Sequence, residues 1–264
     1  MSRISRTFDQ LEKRSQAALI PFIMAGDPDI KTTEALVLRM AEGGADMIEL
    51  GVPFSDPIAD GPTIQAASER ALQKGVNLKE VLYMAERLSG INTPLVLMAY
   101  FNPVLRYGLR DFVESCGRSG VDGMIIPDLP PEEAGQWIRD ARKMSLDTVF
   151  LIAPTSPPDR IRLVSGYSRG FIYYVSVTGV TGARENLPDD LEPAVKRIKE
   201  QSEKPVAVGF GISTAEQAKG IGLFADGVIV GSAIVKMIEE NVRDPDLPLR
   251  VKDLVSSFAE ALKS

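Results

Sequence analysis

Three carboxylates lie close together in the chain, where one apolar run ends and on the loop that follows it. Glu49 lies near the end of the run Met47–Leu50, which is typical of a buried strand, and Asp56 and Asp60 follow on a loop that contains three prolines. Because burying an unpaired charge costs free energy, a carboxylate in this apolar run indicates that Glu49 has a functional role. A surface glutamate and ordinary Asp-Pro and Asp-Gly turns are the alternative explanations. We interpret the segment as an acid/base site, although the spacing does not choose between the two aspartates.

The residue types that are missing limit the catalytic mechanisms that this chain could use. The sequence has no histidine, which excludes His-dependent triads, imidazole bases and histidine-containing metal sites, so we expect no bound metal. No lysine falls in a predicted strand, which disfavours a Schiff-base mechanism. The single cysteine, Cys116, lies in a helical pattern and is expected to be a packed side chain. Carboxylates, tyrosines, lysines or water must therefore supply any acid/base catalysis.

The composition describes an acidic protein without extreme features. The formal net charge is −6, and charged residues make up 25% of the 264 residues. No basic cluster is present, so we expect no nucleic-acid partner. No apolar stretch reaches the ~20 residues that a membrane span needs, and the N-terminal segment lacks the apolar core of a signal peptide. We expect a cytoplasmic protein, or one of the plastid stroma if the source is a plant, without membrane association.

Short apolar runs alternate with amphipathic stretches along the whole chain. The apolar runs predict strands at Leu19–Met24, Met47–Leu50, Leu95–Ala99, Gly123–Ile126, Thr148–Ile152, Phe171–Val175, Val206–Val208 and Gly227–Val230. Strands that are almost wholly apolar are covered on both faces, and repeated strand–helix units form parallel sheets. The pattern predicts a single α/β domain over residues 1–264, a closed (β/α)8 TIM barrel with extra terminal helices at Met1–Arg14 and Leu249–Lys263. A doubly wound open sheet is the alternative.

A weak internal repeat supports one repeated unit. Gly44–Gly51, Gly120–Pro127 and Phe224–Gly231 each contain an Asp, a short apolar strand and a residue typical of a turn. The repeat places the same polar residue immediately before three of the predicted strands.

Glycines follow the predicted seventh and eighth strands, in Gly209-Phe210-Gly211 and Gly231-Ser232. Glycines let a ligand approach the backbone, and N–H groups at helix starts bind anions, so these turns predict a phosphate site in a barrel. Plain tight turns are the alternative.

The long segment Val177–Pro188 after the sixth strand predicts a lid. Phe22 and Tyr100, at strand ends, are either core residues or a clamp on a planar substrate.

These motifs resemble those of the tryptophan synthase alpha chain family. The resemblance rests on Glu49–Gln65, Tyr100–Pro103, Pro127–Pro130, Thr178–Gly182 and the two glycine turns, and it covers essentially the whole chain. The first motif is long and specific, whereas the glycine turns are shared with many phosphate-binding barrels.

The resemblance implies an activity and a partner. The expected reaction is the retro-aldol cleavage of indole-3-glycerol phosphate, with Glu49 and Asp60 catalytic. The expected partner is a beta chain, in an alpha2beta2 tetramer, that carries pyridoxal phosphate and consumes the indole; this chain itself is expected to hold no cofactor. The remaining implied site residues are Phe22, Ile64, Tyr100, Tyr173, Thr181 and Phe210 for substrate, Gly182, Gly211, Gly231 and Ser232 for phosphate, and Pro53, Asp56, Pro57, Asn102 and Asp128 at the partner interface.

Two other functions remain open from the sequence. One is a different phosphate-sugar barrel, an isomerase or epimerase. The other is a non-catalytic barrel that activates its partner.

Overall fold

The strands close into one parallel barrel. A computed structural model describes residues 1–175, 188–209 and 211–264. The eight strands pair in chain order, and β8 closes on β1. Their bounds are β1 Ala18–Met24, β2 Ile48–Gly51, β3 Leu95–Met98, β4 Gly123–Ile125, β5 Asp147–Ile152, β6 Ile172–Val175, β7 Val206–Gly209 and β8 Gly227–Val230. The predicted barrel is confirmed, and the open sheet was wrong, because no strand has a free edge in this closed order.

Helices cover the outside of the barrel, and further helices extend it at both termini. Their bounds are α1 Arg3–Glu12, α2 Ile30–Glu42, α3 Pro62–Gln73, α4 Leu78–Arg87, α5 Phe101–Tyr107, α6 Leu109–Arg118, α7 Gly135–Lys143, α8 Pro158–Tyr167, α9 Leu191–Lys199, α10 Ala215–Gly222, α11 Ser232–Glu240 and α12 Leu247–Lys263. Among the described helices, none combines the length and apolarity that a bilayer span requires.

Two of these helices were absent from the sequence prediction. The helix α5 begins within the motif Tyr100–Pro103, and Pro103 lies in its first turn, where the backbone N–H has no partner within the helix and proline is tolerated. The helix α11 begins directly at Ser232, inside the segment that was interpreted only as a ligand turn.

The barrel has an inner and an outer apolar layer. The inner layer alternates along the strands, as in Ala18 and Ile20 of β1, and includes Ile4, Phe8 and Leu11 of α1. A Cβ at Gly123 would lie 2.7 Å from Cδ1 of Ile4, and one at Gly170 would lie 3.1 Å from its Cγ2, so Ile4 occupies the space that these glycines leave near the starts of β4 and β6. The helix α1 therefore closes the end of the barrel at which the strands begin.

The internal repeat has a structural explanation in backbone hydrogen bonds. The Asp46 carboxylate accepts a hydrogen bond from the N–H of Leu19, at 2.9 Å. Asp122 does the same for Leu95 at 2.9 Å, and Asp226 for Val206 at 2.8 Å. In each case the aspartate precedes one strand and binds a backbone N–H near the start of the strand before it. The repeated aspartate thus fixes neighbouring strands at this end of the barrel.

Candidate active site

Glu49 occupies the interior of the barrel near the ends of the strands. It is the second residue of β2, and its α-carbon pairs with those of Phe22 and Val96. Because side chains alternate along a strand, Glu49 faces the same way as Met47, which belongs to the inner layer. Glu49 is 1% exposed, so the alternative of a surface glutamate was wrong.

The Glu49 carboxyl group is buried and makes no hydrogen bond to any residue that the structure describes. Neither of its oxygens has a partner in the described part of the chain. Burial, and to a smaller degree the charge of Asp60, raises the pKa of Glu49 to about 8. A buried polar group without a partner is unusual in a folded protein and requires an explanation, which a catalytic role supplies.

The structure separates the two aspartates that the sequence could not rank. Asp56 is exposed, whereas Asp60 is partly buried, just before α3, and its charge acts on Glu49. Burial raises the pKa of Asp60 to about 6, and a hydrogen bond with the Tyr100 hydroxyl opposes this rise. At neutral pH, Glu49 is therefore mostly protonated and Asp60 mostly ionised. The pair can donate a proton from one carboxyl group and stabilise positive charge with the other.

Tyr100 anchors the loop that carries Asp60. Its hydroxyl accepts a hydrogen bond from the N–H of Ala59 at 2.9 Å. Its ring stacks on Phe54, with the ring centroids 5.1 Å apart. Tyr100 is 3% exposed, as expected of a core residue, and its role as a clamp on a planar substrate stays a prediction.

Phe22 and Tyr173 line the interior beside Glu49. A side chain at Gly51 would place its Cβ 2.7 Å from Cζ of Phe22, and one at Gly209 would lie 2.7 Å from the Tyr173 hydroxyl. The glycine at position 209 therefore makes room for a tyrosine of the site. Burial and the charges of Glu49 and Asp60 raise the pKa of Tyr173 well above its usual value, so its hydroxyl stays protonated.

The two glycine turns differ in their capacity to bind an anion. The helix α10 starts four residues after Gly211, and its N-terminus is closed by a capping box between Thr214 and Gln217. In contrast, α11 begins at Ser232, and its N-cap Gly231 supplies no side-chain acceptor in the described structure. The N-terminus of α11 is therefore the better anion site.

The remaining predicted substrate and phosphate residues fall into two groups. Ile64 is buried on α3. Thr181, Gly182 and Phe210, together with most of the predicted lid, lie outside the described residues. Within the described ranges, no cluster of three or more metal-ligating side chains occurs.

The predicted partner-interface residues follow β2, β3 and β4. Pro53 is buried, Pro57 is partly exposed, and Asp56, Asn102 and Asp128 are exposed. The Asp128 carboxylate also accepts a hydrogen bond from the N–H of Phe101 at 2.8 Å, so it caps α5 from a neighbouring loop.

Sequence reasoning missed two exposed apolar side chains on these elements. Ile58 is 85% exposed and Leu105 is 55% exposed. An isoleucine between Pro57 and Ala59, in a loop without strand periodicity, was the available signal.

Comparison with known proteins decides the family. The sequence profile described as tryptophan synthase alpha chain matches residues 8–263. The chain belongs to the tryptophan synthase alpha chain family. Among curated members, the alpha chain of Geobacter sulfurreducens is 51% identical over 263 residues, covering 99% of each chain. That of Geotalea uraniireducens is 50% identical over 265 residues, covering 100% of this chain and 97% of the relative.

Solved structures of family members have the same fold. Tryptophan synthase of Mycobacterium tuberculosis superimposes with a TM-score of 0.93 at 40% identity, covering 100% of this chain and 99% of that chain. The alpha subunit from Legionella pneumophila gives a TM-score of 0.91 at 38% identity, covering 99% and 98%. The resemblance inferred from the sequence motifs is confirmed.

Proposed function

We infer that this chain cleaves indole-3-glycerol phosphate to indole and glyceraldehyde 3-phosphate. It is the carbon–carbon lyase of tryptophan biosynthesis that its family membership indicates. The observation that carries the inference is Glu49, a buried carboxyl group without a hydrogen-bond partner in the described part of the chain, beside Asp60 at the end of the barrel where active sites of this fold lie.

The pair of carboxyl groups matches the proton transfers of a retro-aldol cleavage. In our proposal, protonated Glu49 delivers a proton to the indole ring carbon that carries the glycerol chain, and the ring becomes cationic. The resulting carboxylate then takes the proton of the adjacent glycerol hydroxyl. The carbon–carbon bond breaks, its electron pair neutralises the ring, and the hydroxyl carbon becomes the aldehyde.

Asp60 has a separate role in this scheme. As a carboxylate at neutral pH, it accepts a hydrogen bond from the ring N–H and stabilises the positive charge that develops there. Electrostatic stabilisation of this kind is strong in a site that excludes water. Neither proton transfer requires a group beyond the two carboxyl groups.

We assign the other residues that the family resemblance implies to substrate binding. Phe22, Ile64, Tyr100 and Tyr173, with Thr181 and Phe210, would surround the indole ring. The N-terminus of α11 at Gly231 and Ser232 would bind the phosphate, together with Gly211 and Gly182. The α11 terminus supports this assignment, because no side chain in the described structure caps it.

We propose a tryptophan synthase beta chain as the partner, in an alpha2beta2 tetramer, with pyridoxal phosphate held by the beta chain. The docking face would comprise the loops after β2, β3 and β4, with Pro53, Asp56, Pro57, Asn102 and Asp128. The exposure of Ile58 and Leu105 beside them supports this proposal, because exposed large apolar side chains mark protein interfaces. Sedimentation of Ile58→Asp with a beta chain should show loss of the complex, whereas Leu223→Asp, on another face and 82% exposed, should retain it.

We further propose that residues 1–264 form one domain that works in the cytoplasm. The contact of α1 with the barrel interior and the packing of α12 on α2 and α10 support a single unit. The buried free thiol of Cys116 is compatible with a reducing compartment.

The decisive experiment is indole release from indole-3-glycerol phosphate by the purified chain, with and without a beta chain. We expect slow release that rises when the beta chain is added. No release under either condition would favour a sugar-phosphate isomerase. Release that survives Glu49→Gln unchanged would remove Glu49 from the mechanism.

A further inference from the structure

Ser68 of α3 holds the beginning of the loop that carries Asp60. Its hydroxyl accepts a hydrogen bond from the N–H of Phe54 at 2.9 Å and donates one to the Phe54 carbonyl at 3.0 Å. Ser68 is 1% exposed. One side chain thus satisfies both polar groups of a single loop residue, which fixes the peptide plane on each side of Phe54.

Phe54 in turn contacts the residue that fixes the other end of the loop. Its ring stacks on Tyr100 at an interplanar angle of 28°. The Tyr100 hydroxyl accepts a hydrogen bond from the N–H of Ala59, the residue immediately before Asp60. Ser68, Phe54, Tyr100 and Ala59 therefore form a continuous series of contacts from a helix of the scaffold to the backbone beside a candidate catalytic carboxylate.

The loop has few other connections to the scaffold near Asp60. The Gln65 side chain donates a hydrogen bond to the Asp60 carbonyl at 2.8 Å, and the Asp60 N–H binds Pro57 within the loop. Neither of these contacts orients the Asp60 carboxylate. Tyr100, whose ring is held against Phe54, fixes the backbone at Ala59, immediately before Asp60.

We propose that Ser68 is a positioning residue for catalysis, which acts through Phe54 and Tyr100 to hold the Asp60 carboxylate against the substrate ring. This inference rests on the proposed function. A displacement of about 1 Å at a reacting group costs up to roughly a hundredfold in rate. Loss of Ser68 removes one of several anchors, so we expect a kcat decrease of about tenfold with a smaller change in KM.

The pH profile distinguishes positioning from a purely structural role. The hydrogen bond from Tyr100 opposes the rise in the pKa of Asp60. If Ser68→Ala loosens Tyr100, the pKa of Asp60 rises further, and the acidic limb of the pH profile of kcat/KM moves to higher pH. A variant that is only less stable would leave the acidic limb of this profile at the wild-type pH.

The test compares Ser68→Ala with Thr33→Val. Thr33 is a matched control, because its hydroxyl also accepts a backbone N–H, that of Gly26, and donates to a backbone carbonyl, that of Asp29, while its residue is 0% exposed. Indole release is measured across pH for each variant with the beta chain, and thermal unfolding is measured in parallel. Both variants should lose stability, but only Ser68→Ala should lose about tenfold in kcat and shift the acidic limb.

A double-mutant cycle with Tyr100→Phe completes the experiment. If Ser68 acts through Tyr100, Ser68→Ala should cost less than about twofold in kcat in the Tyr100→Phe background. Equal costs in both backgrounds, an unmoved acidic limb, or a kcat within twofold of wild type would overturn the proposal. If Ser68→Ala does not fold, Ser68→Cys, which keeps a weak donor, is judged by the same criteria. An inactive wild-type chain would instead refute the proposed function.

Discussion

The two ends of the barrel use carboxylates that are partly or wholly shielded from water in opposite ways. Where the strands begin, Asp46, Asp122 and Asp226 each accept a hydrogen bond from a backbone N–H of a neighbouring strand. Where the strands end, Glu49 has no hydrogen-bond partner for either oxygen among the described residues. The first group joins strands, whereas the Glu49 carboxyl group is bound to no described part of the scaffold.

The comparison shows which feature of a buried carboxylate indicates chemistry. Burial alone does not, because desolvation raises the pKa of Asp46 and Asp122 as well as that of Glu49. The difference is the hydrogen-bond partner. A backbone N–H opposes the rise in the pKa of each aspartate, whereas the nearby charge of Asp60 adds to the rise in the pKa of Glu49. The carboxyl group that the fold leaves unsatisfied is the one we assign to catalysis.

Replacing Glu49 with glutamine should cause a larger loss of indole release than any other substitution proposed at either end of the barrel. The amide keeps the size of the side chain but cannot transfer the proton, so indole release should fall by ~10²–10⁴-fold. The matched change Asp46→Asn, at the other end, should leave kcat within about threefold, because its amide oxygen can still accept the backbone hydrogen bond. Indole release at saturating substrate measures both. Activity of Glu49→Gln within threefold of wild type would show that the unpartnered carboxyl group is not the catalytic one.

The same substitution should change how stability depends on pH. Because the pKa of Glu49 is raised to about 8 from 4.5, the folded chain keeps its proton while the unfolded chain loses it. Its contribution to the free energy of unfolding is complete below pH 4.5 and should decline by roughly 1.4 kcal/mol per unit as pH rises toward 8. Urea unfolding at several pH values should show a flatter profile for Glu49→Gln. Parallel profiles for the two proteins would contradict the raised pKa.

Removing a partnered carboxylate should instead affect stability. Asp46→Ala leaves the N–H of Leu19 without its acceptor and should lower the free energy of unfolding by about 1–3 kcal/mol. Asp46→Asn should lose less, because it keeps an acceptor. Denaturant unfolding and kcat of the folded protein are the measurements, with kcat expected to stay near the wild-type value. A loss of kcat without a loss of stability would show that the two ends are not separate.

The smallest effect is expected at the proposed phosphate site. Ser232→Ala removes a hydroxyl at the start of α11 but leaves the backbone N–H groups in place. KM for the substrate should rise about three- to tenfold with kcat nearly unchanged, because the lost hydrogen bond contributes roughly 1 kcal/mol in both ground and transition states. Thr214→Ala, at the capped start of α10, serves as the control and should change stability rather than KM. An equal rise in KM for both variants would remove the distinction between the two turns.

The sequence was sufficient for the barrel because its signals are local. Apolar runs that do not alternate, separated by amphipathic stretches, predict buried parallel strands wherever they occur. The two missed helices show where local signals conflict. Pro103 masks α5, and the glycine and serine at the start of α11 are residues that also form turns. The repeated aspartate was visible in the sequence, but its backbone partner lies on another strand.

Composition and local pattern were enough to predict the barrel, the family motifs and a carboxylate in an apolar strand, and the lack of histidine excluded imidazole chemistry. Only the folded chain shows that Glu49 has no hydrogen-bond partner among the described residues, that Asp60 rather than Asp56 acts on it, and that the N-cap residue of α11, unlike that of α10, provides no side-chain cap. The physical reason is that hydrogen bonding and desolvation depend on groups distant in the chain. The Tyr100 hydroxyl lies 41 positions from the Ala59 N–H that it holds, and no local pattern records that contact.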